Sequence, residues 1–153
     1  MSACGLDFGT SNTTFGSMAH HAPVLAPLEA GYTTIPSAIF YERDGAVLIG
    51  RRAIDAYVDG VPGRLMRSLK SVLGTALIAE TTKLGRERRS FRSVIASYLG
   101  AVKRRAEQAT GREFRNVVHG RPVHFVDNAS DADRKAEQTL REIVREIGFD
   151  NVM

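Results

Sequence analysis

The residues best suited to chemistry stand seven in a row near the start of the chain: Asp7, Phe8, Gly9, Thr10, Ser11, Asn12 and Thr13. They close a short, mostly apolar segment beginning at Ala3, which reads as a buried strand entering a tight polar turn. A glycine directly after a strand lets the backbone turn with positive φ, and closely spaced amides with Thr and Ser hydroxyls can then converge on phosphate oxygens. Asp7 stands where an apolar side chain is expected, and an acid beside bound phosphates is best explained by a hydrated Mg²⁺ held through water. The same seven residues also suit an ordinary polar hairpin turn, and composition does not separate the two readings. No GxxxxGK[ST] occurs and no GxGxxG follows the first strand, so phosphate binding here needs a geometry other than the P-loop or the dinucleotide fingerprint.

Other reactive side chains carry weaker signals. Cys4 is the only cysteine, which excludes an internal disulfide and a multi-thiolate zinc site, and it reads as a small buried apolar residue. His20 and His21 fall in a turn with no carboxylate cluster nearby and read as exposed. His119 and His124 flank a Gly-Arg-Pro turn and read as structural. Lys70 follows Arg64 and Arg67 at three-residue steps, a spacing that also marks the wet face of a helix. Arg86, Glu87, Arg88 and Arg89 are the argument for a nucleic-acid-binding module, but aromatic residues make up only 7% and tryptophan is absent, so the stacking platform of such a module is missing.

The elements that must position these residues change character along the chain. Four or five antiparallel strands are expected in the first fifty residues, including a hairpin of Ala3–Phe8 with Thr13–Met18 and another around Asp44-Gly45, between Ile39–Tyr41 and Val47–Ile49. A short helix follows Gly50 and closes at Gly60. Phe91, Val94, Ile95, Tyr98, Val102, Ala106 and Ala109 recur at helical steps, predicting a long helix that Gly111 stops, with Lys103, Arg104 and Arg105 near its dipole-favoured end. Asn116–His119 reads as a strand. A final helix starts at Ser130, carries Asp131 and Asp133 in its first turn, and ends at Gly148. Gly85 to Arg89 is expected to be an exposed, mobile loop. No repeat or low-complexity linker divides the chain, so residues 1–153 read as one domain of the α/β class, a mixed sheet with antiparallel hairpins flanked by helices.

Of the 153 residues 43% are apolar, enough for a continuous core. No apolar stretch is long enough to span a membrane and the N-terminus lacks a secretory pattern, so a cytoplasmic protein with no membrane role is expected. The net charge of +4 conceals an asymmetry: residues 61–126 hold 14 basic and 4 acidic residues, while the flanking parts are both acidic. Such a middle attracts nucleic acid, a nucleotide's phosphates or an acidic partner, and charge alone does not choose among them.

Placed after a strand and opening a series of hairpins, DFGTSNT resembles the first phosphate loop of the actin-like ATPase superfamily, with its ribonuclease-H-like fold. The DnaK-type 70-kDa heat-shock chaperones are the nearest branch. Ser68 to Gly74, SLKSVLG, resembles that branch's KRLIG segment and aligns Lys70 with the lysine that helps position the attacking water. Val117 to Phe125, VVHGRPVHF, resembles the ITVPAYF strand and places Pro122 on the switch proline. Asp133 to Ala136 resembles the start of the next helix, with Arg134 on the arginine that couples nucleotide state to substrate binding. The GRP wording is most similar to the YegD-type subgroup.

This resemblance implies ATP or ADP with Mg²⁺ as cofactors, Asp7 as the water-mediated metal residue, and Gly9, Thr10, Ser11 and Asn12 around the β- and γ-phosphates. It implies Lys70 and Asp7 as the catalytic pair, Pro122 and Arg134 as allosteric residues, and client peptides and co-chaperones as partners in the intact family. The family's second glycine-rich loop and adenosine motif fall beyond Met153. The expectation is therefore the first lobe alone: weak nucleotide binding, little turnover, and self-association through the face of the missing lobe. An actin-like assembly scaffold is the alternative function, ahead of a basic nucleic-acid-binding module.

Overall fold

The computed structural model describes residues 3–120 and 130–153. The first segment is β1 (Ala3–Phe8), and its side chains alternate: Cys4, Leu6 and Phe8 are buried while Ala3, Gly5 and Asp7 are exposed. It is thus a half-buried strand, and Asp7 occupies the open face rather than an apolar position. β2 (Asn12–Ala19) returns antiparallel, with Leu6 opposite Phe15 and Phe8 opposite Thr13. His20 and His21, both at positive φ (50° and 64°), form the two-residue turn into β3 (Ala22–Leu25), which sets Met18 opposite Pro23.

β4 (Thr34–Pro36) pairs with the start of β2. β5 (Ala38–Glu42) and β6 (Val47–Ile49) form the expected Asp44-Gly45 hairpin, and β7 (Gly63–Arg67) adds to the other side of β5. Residues 3–50 therefore hold six strands, more than the four or five expected, because the three-residue β4 carries too little pattern to be counted separately. Between β6 and β7 lies helix α1 (Arg51–Val58), whose first amides, those of Arg51 and Arg52, donate to the Glu29 carboxylate at 3.0 and 3.4 Å. Glu29 supplies the anion that the helix's own first turn lacks.

Gly85 and Arg86 are not part of a long loop. They are the turn between β8 (Thr81–Leu84) and β9 (Glu87–Ser90), an antiparallel hairpin in which the Arg88 Nε donates to Thr81 at 3.1 Å and Arg64 donates to Thr82. The Arg89 guanidinium pairs with Glu87 and faces the Tyr41 ring. Of the arginines that suggested a nucleic-acid surface, Arg88 and Arg89 are thus engaged within the protein.

Helix α2 (Phe91–Thr110) begins with the Ser90 side chain accepting from the Ser93 amide at 3.1 Å and ends where Gly111 takes φ 65°. Its last turn holds no basic residue. Lys103 is buried and pairs with Glu107 at 2.6 Å and Arg105 pairs with Glu29, so these two of the cations expected to favour the helix dipole instead lie upstream and bind neighbours. β10 (Asn116–Gly120), α3 (Ser130–Glu146) and β11 (Asn151–Val152) complete the order.

The main sheet runs β11-β10-β1-β2-β3, parallel across β11, β10 and β1 and antiparallel beyond, with β4 paired to β2. This is a mixed α/β arrangement. Leu6, Phe8, Phe15 and Val117 meet Tyr98, Val102, Leu140 and Val144 in one core, so α2 and α3 cover the same face. On the opposite face Met18, Val24, Leu25 and Val118 stay about half exposed around Ala3, Gly5 and Gly16. Cys4 lies within the core, and burial pushes its thiol up to about 12, which rules it out as a nucleophile at neutral pH. No helix among the described residues is long and apolar enough to cross a membrane.

Candidate functional site

Asp7 and Gly120 sit opposite each other at the carboxyl ends of the parallel strands β1 and β10. The Asp7 carboxylate lies close over Gly120, where a Cβ would come within 3.6 Å of its Oδ1. Ligands of open α/β sheets bind outside the carboxyl ends of parallel strands, so this is the end of the molecule at which to expect a site. The polar turn leaves β1 at the same point. Its Thr10, Ser11 and Asn12 are exposed, and Gly9 is partly buried.

Gly9 is not in the left-handed region, contrary to the sequence expectation. What demands glycine is space: a Cβ there would stand 2.6 Å from the Asn12 carbonyl oxygen, to which the Gly9 amide donates at 2.9 Å. Among the described residues, the amides of Thr10 and Ser11 donate to no backbone carbonyl. They are the free donors that an anion would take up.

Lys70 comes to this end from a different part of the chain. Arg64 and Arg67 lie on β7, not on a helix, and Lys70 sits in a 3₁₀ turn (Leu69–Val72) with only 9% of its surface exposed. Ser68 precedes it at φ 54°, a left-handed conformation uncommon for serine, and its carbonyl accepts from both the Ser71 amide (3.0 Å) and the Ser71 hydroxyl (2.6 Å). Burial holds the Lys70 ammonium below its usual range while the Asp7 charge draws it back up. The chain thus brings together Asp7, Lys70 and the exposed turn, 63 residues apart in sequence for the first two. Among the described residues no group of three or more His, Cys, Asp or Glu forms a metal cluster. A single exposed carboxylate suits Mg²⁺, which keeps most of its water and is shared with phosphate oxygens.

His119 is buried beside the site, 7% exposed at the end of β10. Burial holds its imidazole below the usual 6.5, the Gly120 backbone opposes this, Arg141 adds to it, Glu137 opposes it, and Lys70 adds to it. A histidine kept neutral in the folded state, while the unfolded chain takes up a proton below 6.5, contributes a penalty as pH falls through that value toward the folded-state one. Folding free energy is therefore expected to decline between pH 7 and 5.5 more steeply than in His119→Gln, by at most about 1.4 kcal/mol per pH unit for one proton. Denaturant unfolding at several pH values checks this; parallel curves for the two proteins would refute it.

Arg134 is placed away from burial, in the first turns of α3, where it is exposed and ion-paired to Asp131. Pro122 and His124 lie outside the described residues. His20 and His21 occupy their turn, and among the described residues they belong to no group of His, Cys, Asp or Glu that could hold a metal. The reading of the sequence passes over three buried hydroxyls behind the turn. Tyr98, expected only as an apolar helix position, places its hydroxyl 2.9 Å from Thr13 Oγ1 and 3.0 Å from the Pro36 carbonyl. Thr13 Oγ1 is 2.8 Å from Ser37 Oγ, and Ser37 Oγ donates to the Gly9 carbonyl at 2.8 Å. The one signal that could have found them is a tyrosine on a helix face otherwise wholly apolar, since a buried phenol needs a partner.

Among curated proteins, the chaperone protein DnaK of Halobacterium salinarum is 30% identical over 146 residues, covering 95% of this chain and 22% of that protein. Over about nine-tenths of its length the chain is thus similar to DnaK-type chaperones, which supports its place in the 70-kDa heat-shock family. An HscA homolog of Laribacter hongkongensis is 29% identical over 153 residues, covering 88% of this chain and 24% of that protein. The DnaK of Mycoplasmoides gallisepticum is 29% identical over 140 residues, or 91% and 22%. The chain thus spans less than a quarter of the length of these DnaK-type relatives. No protein-family model matches it.

Proposed function

We propose that residues 1–153 form the first lobe of an actin-like nucleotide-binding domain in a DnaK-type chaperone, nearest the YegD-type subgroup, and that its turn Gly9–Asn12 takes the phosphates of Mg-ATP or Mg-ADP. The observation that carries this reading is the buried Lys70 charge-coupled to Asp7 beside an exposed turn with free amides. Thr10 and Ser11 amides and hydroxyls, with Gly9 and Asn12, surround the β- and γ-phosphates. Asp7 holds a Mg²⁺ hydration shell. Lys70, desolvated and positive, stabilises charge on the terminal phosphoryl group and orients the attacking water. When bound, Mg²⁺ neutralises phosphate charge. Pro122 and Arg134 relay the nucleotide state to client peptides and co-chaperones held elsewhere in the whole protein.

The test is an amide NMR titration of the 153-residue chain with Mg-ADP and Mg-ATP. Shifts are expected at 7–12 and 68–74, with a dissociation constant weaker than micromolar because one wall of the cleft binds alone. Lys70→Met is expected to weaken binding about tenfold, the effect of one charge-assisted contact. Shifts confined to the β8–β9 hairpin, or affinity indifferent to Lys70, would overturn the assignment.

A further inference from the structure

Behind the exposed turn the three buried hydroxyls of Tyr98, Thr13 and Ser37 form a line, each residue no more than 3% exposed. Three hydroxyls have three protons to distribute over their contacts. Ser37 must give its own proton to the Gly9 carbonyl, which can only accept. Thr13 must then donate to Ser37 Oγ, and Tyr98 must donate to Thr13, sharing its proton with the Pro36 carbonyl. The line therefore has one direction, from α2 to the turn. Burial pushes the Tyr98 hydroxyl up to about 12, so its proton stays in place at any physiological pH.

Ser37 holds the turn twice, because its amide also donates to the Ser11 carbonyl at 2.8 Å. Peptide units are planar and trans, so a carbonyl held toward Ser37 turns the following N–H the opposite way. Fixing the Gly9 and Ser11 carbonyls thus fixes the Thr10 and Asn12 N–H directions. The Gly9 amide, bonded to the Asn12 carbonyl, fixes a third unit.

We infer that Ser37, Thr13 and Tyr98 are positioning residues that aim the amides of the Gly9–Asn12 turn, so that helix α2 sets the turn's affinity for a phosphate group without touching it. This rests on the phosphate reading of the turn proposed above, and two readouts keep the two ideas separable. The first uses the ligand-free 153-residue chain: the Gly9 carbonyl-carbon shift and the exchange rates of the Thr10 and Asn12 amides. Ser37→Ala and Tyr98→Phe are expected to move the Gly9 signal and speed exchange, whereas Ser37→Thr and Thr13→Ser, which keep the hydroxyl, are expected to restore both. The second is Mg-ADP affinity by NMR titration, expected to fall about fivefold in Ser37→Ala and about threefold in Tyr98→Phe, the weight of one buried hydrogen bond or part of one.

If the ligand-free signals of Ser37→Ala and Tyr98→Phe match wild type, the positioning role is overturned whatever the nucleotide does. Equal affinity loss in the hydroxyl-keeping variants overturns it as well, since that pattern reports general destabilisation. Moved signals with no Mg-ADP binding in any protein, wild type included, overturn the phosphate reading, while the control of the turn by α2 stands.

Discussion

Gly9→Ala is expected to weaken Mg-ADP binding at least about tenfold while leaving the protein folded. The new methyl group would stand 2.6 Å from the Asn12 carbonyl oxygen, a distance that backbone cannot give way to cheaply. The turn must open, and the Gly9 amide's bond to that carbonyl is lost with it. Since the Ser37 hydroxyl grips the Gly9 carbonyl, the displacement also reaches the peptide unit that carries the Thr10 amide. The fold does not depend on this bond, and the thermal midpoint is expected to fall by about 4 °C or less, equivalent to about 1 kcal/mol in a protein of this size. Gly5→Ala is the control: two positions from Asp7 on the same face, its Cβ would meet nothing closer than the Val118 carbonyl at 4.0 Å, and it should bind like wild type. Wild-type affinity in Gly9→Ala would show that the turn is not where the phosphates go.

Glu107→Ala is expected to cost about 3 kcal/mol of stability, read as a fall of roughly 6–12 °C in thermal midpoint. The Glu107 Oε1 accepts from the Lys103 ammonium at 2.6 Å and from the Phe114 amide at 2.9 Å. It therefore ties the buried middle of α2 to the segment entering β10. Without it Lys103, only 9% exposed and 5.1 Å from the Phe149 ring, keeps a charge that the core does not solvate, and a backbone donor loses its acceptor. Removing one partner of such a pair costs far more than replacing both. Accordingly, Lys103→Met combined with Glu107→Gln should recover most of the loss, because the glutamine oxygen still accepts from Phe114 and no charge is left behind. A loss under about 0.5 kcal/mol in Glu107→Ala would mean that the pair is no more than a surface contact.

How far each element was legible depended on whether its signal was local. The second hairpin was announced by Asp44-Gly45, and α2 by its apolar steps from Phe91 with Gly111 after them. The β8–β9 hairpin was not, because Glu87, Arg88 and Arg89 present no apolar alternation, while Arg88 reaches across it to Thr81 and Arg64 of β7 binds Thr82 from outside. Lys70 was ambiguous for a related reason: its three-residue spacing from Arg64 and Arg67 imitates a helix, while the structure breaks that stretch into a strand and a 3₁₀ turn at Ser68. Only the resemblance to the chaperones singled it out. The turn itself was found from residue types, but the reason for Gly9 was misread as torsional when it is steric. Ser37 was invisible, since its two bonds to the turn join residues 26 to 28 apart in sequence.

β3 bears on the assembly alternative. In a two-residue hairpin the pair next to the turn exchanges hydrogen bonds and the following pair does not, so at Met18 opposite Pro23 the backbone nitrogen of Pro23 faces out of the sheet. Proline has no hydrogen to offer there. An incoming extended segment would lose a rung within a four-residue strand, which makes that flank a poor template for sheet extension. A filament built from this protein is therefore not expected to grow by extending the sheet at β3.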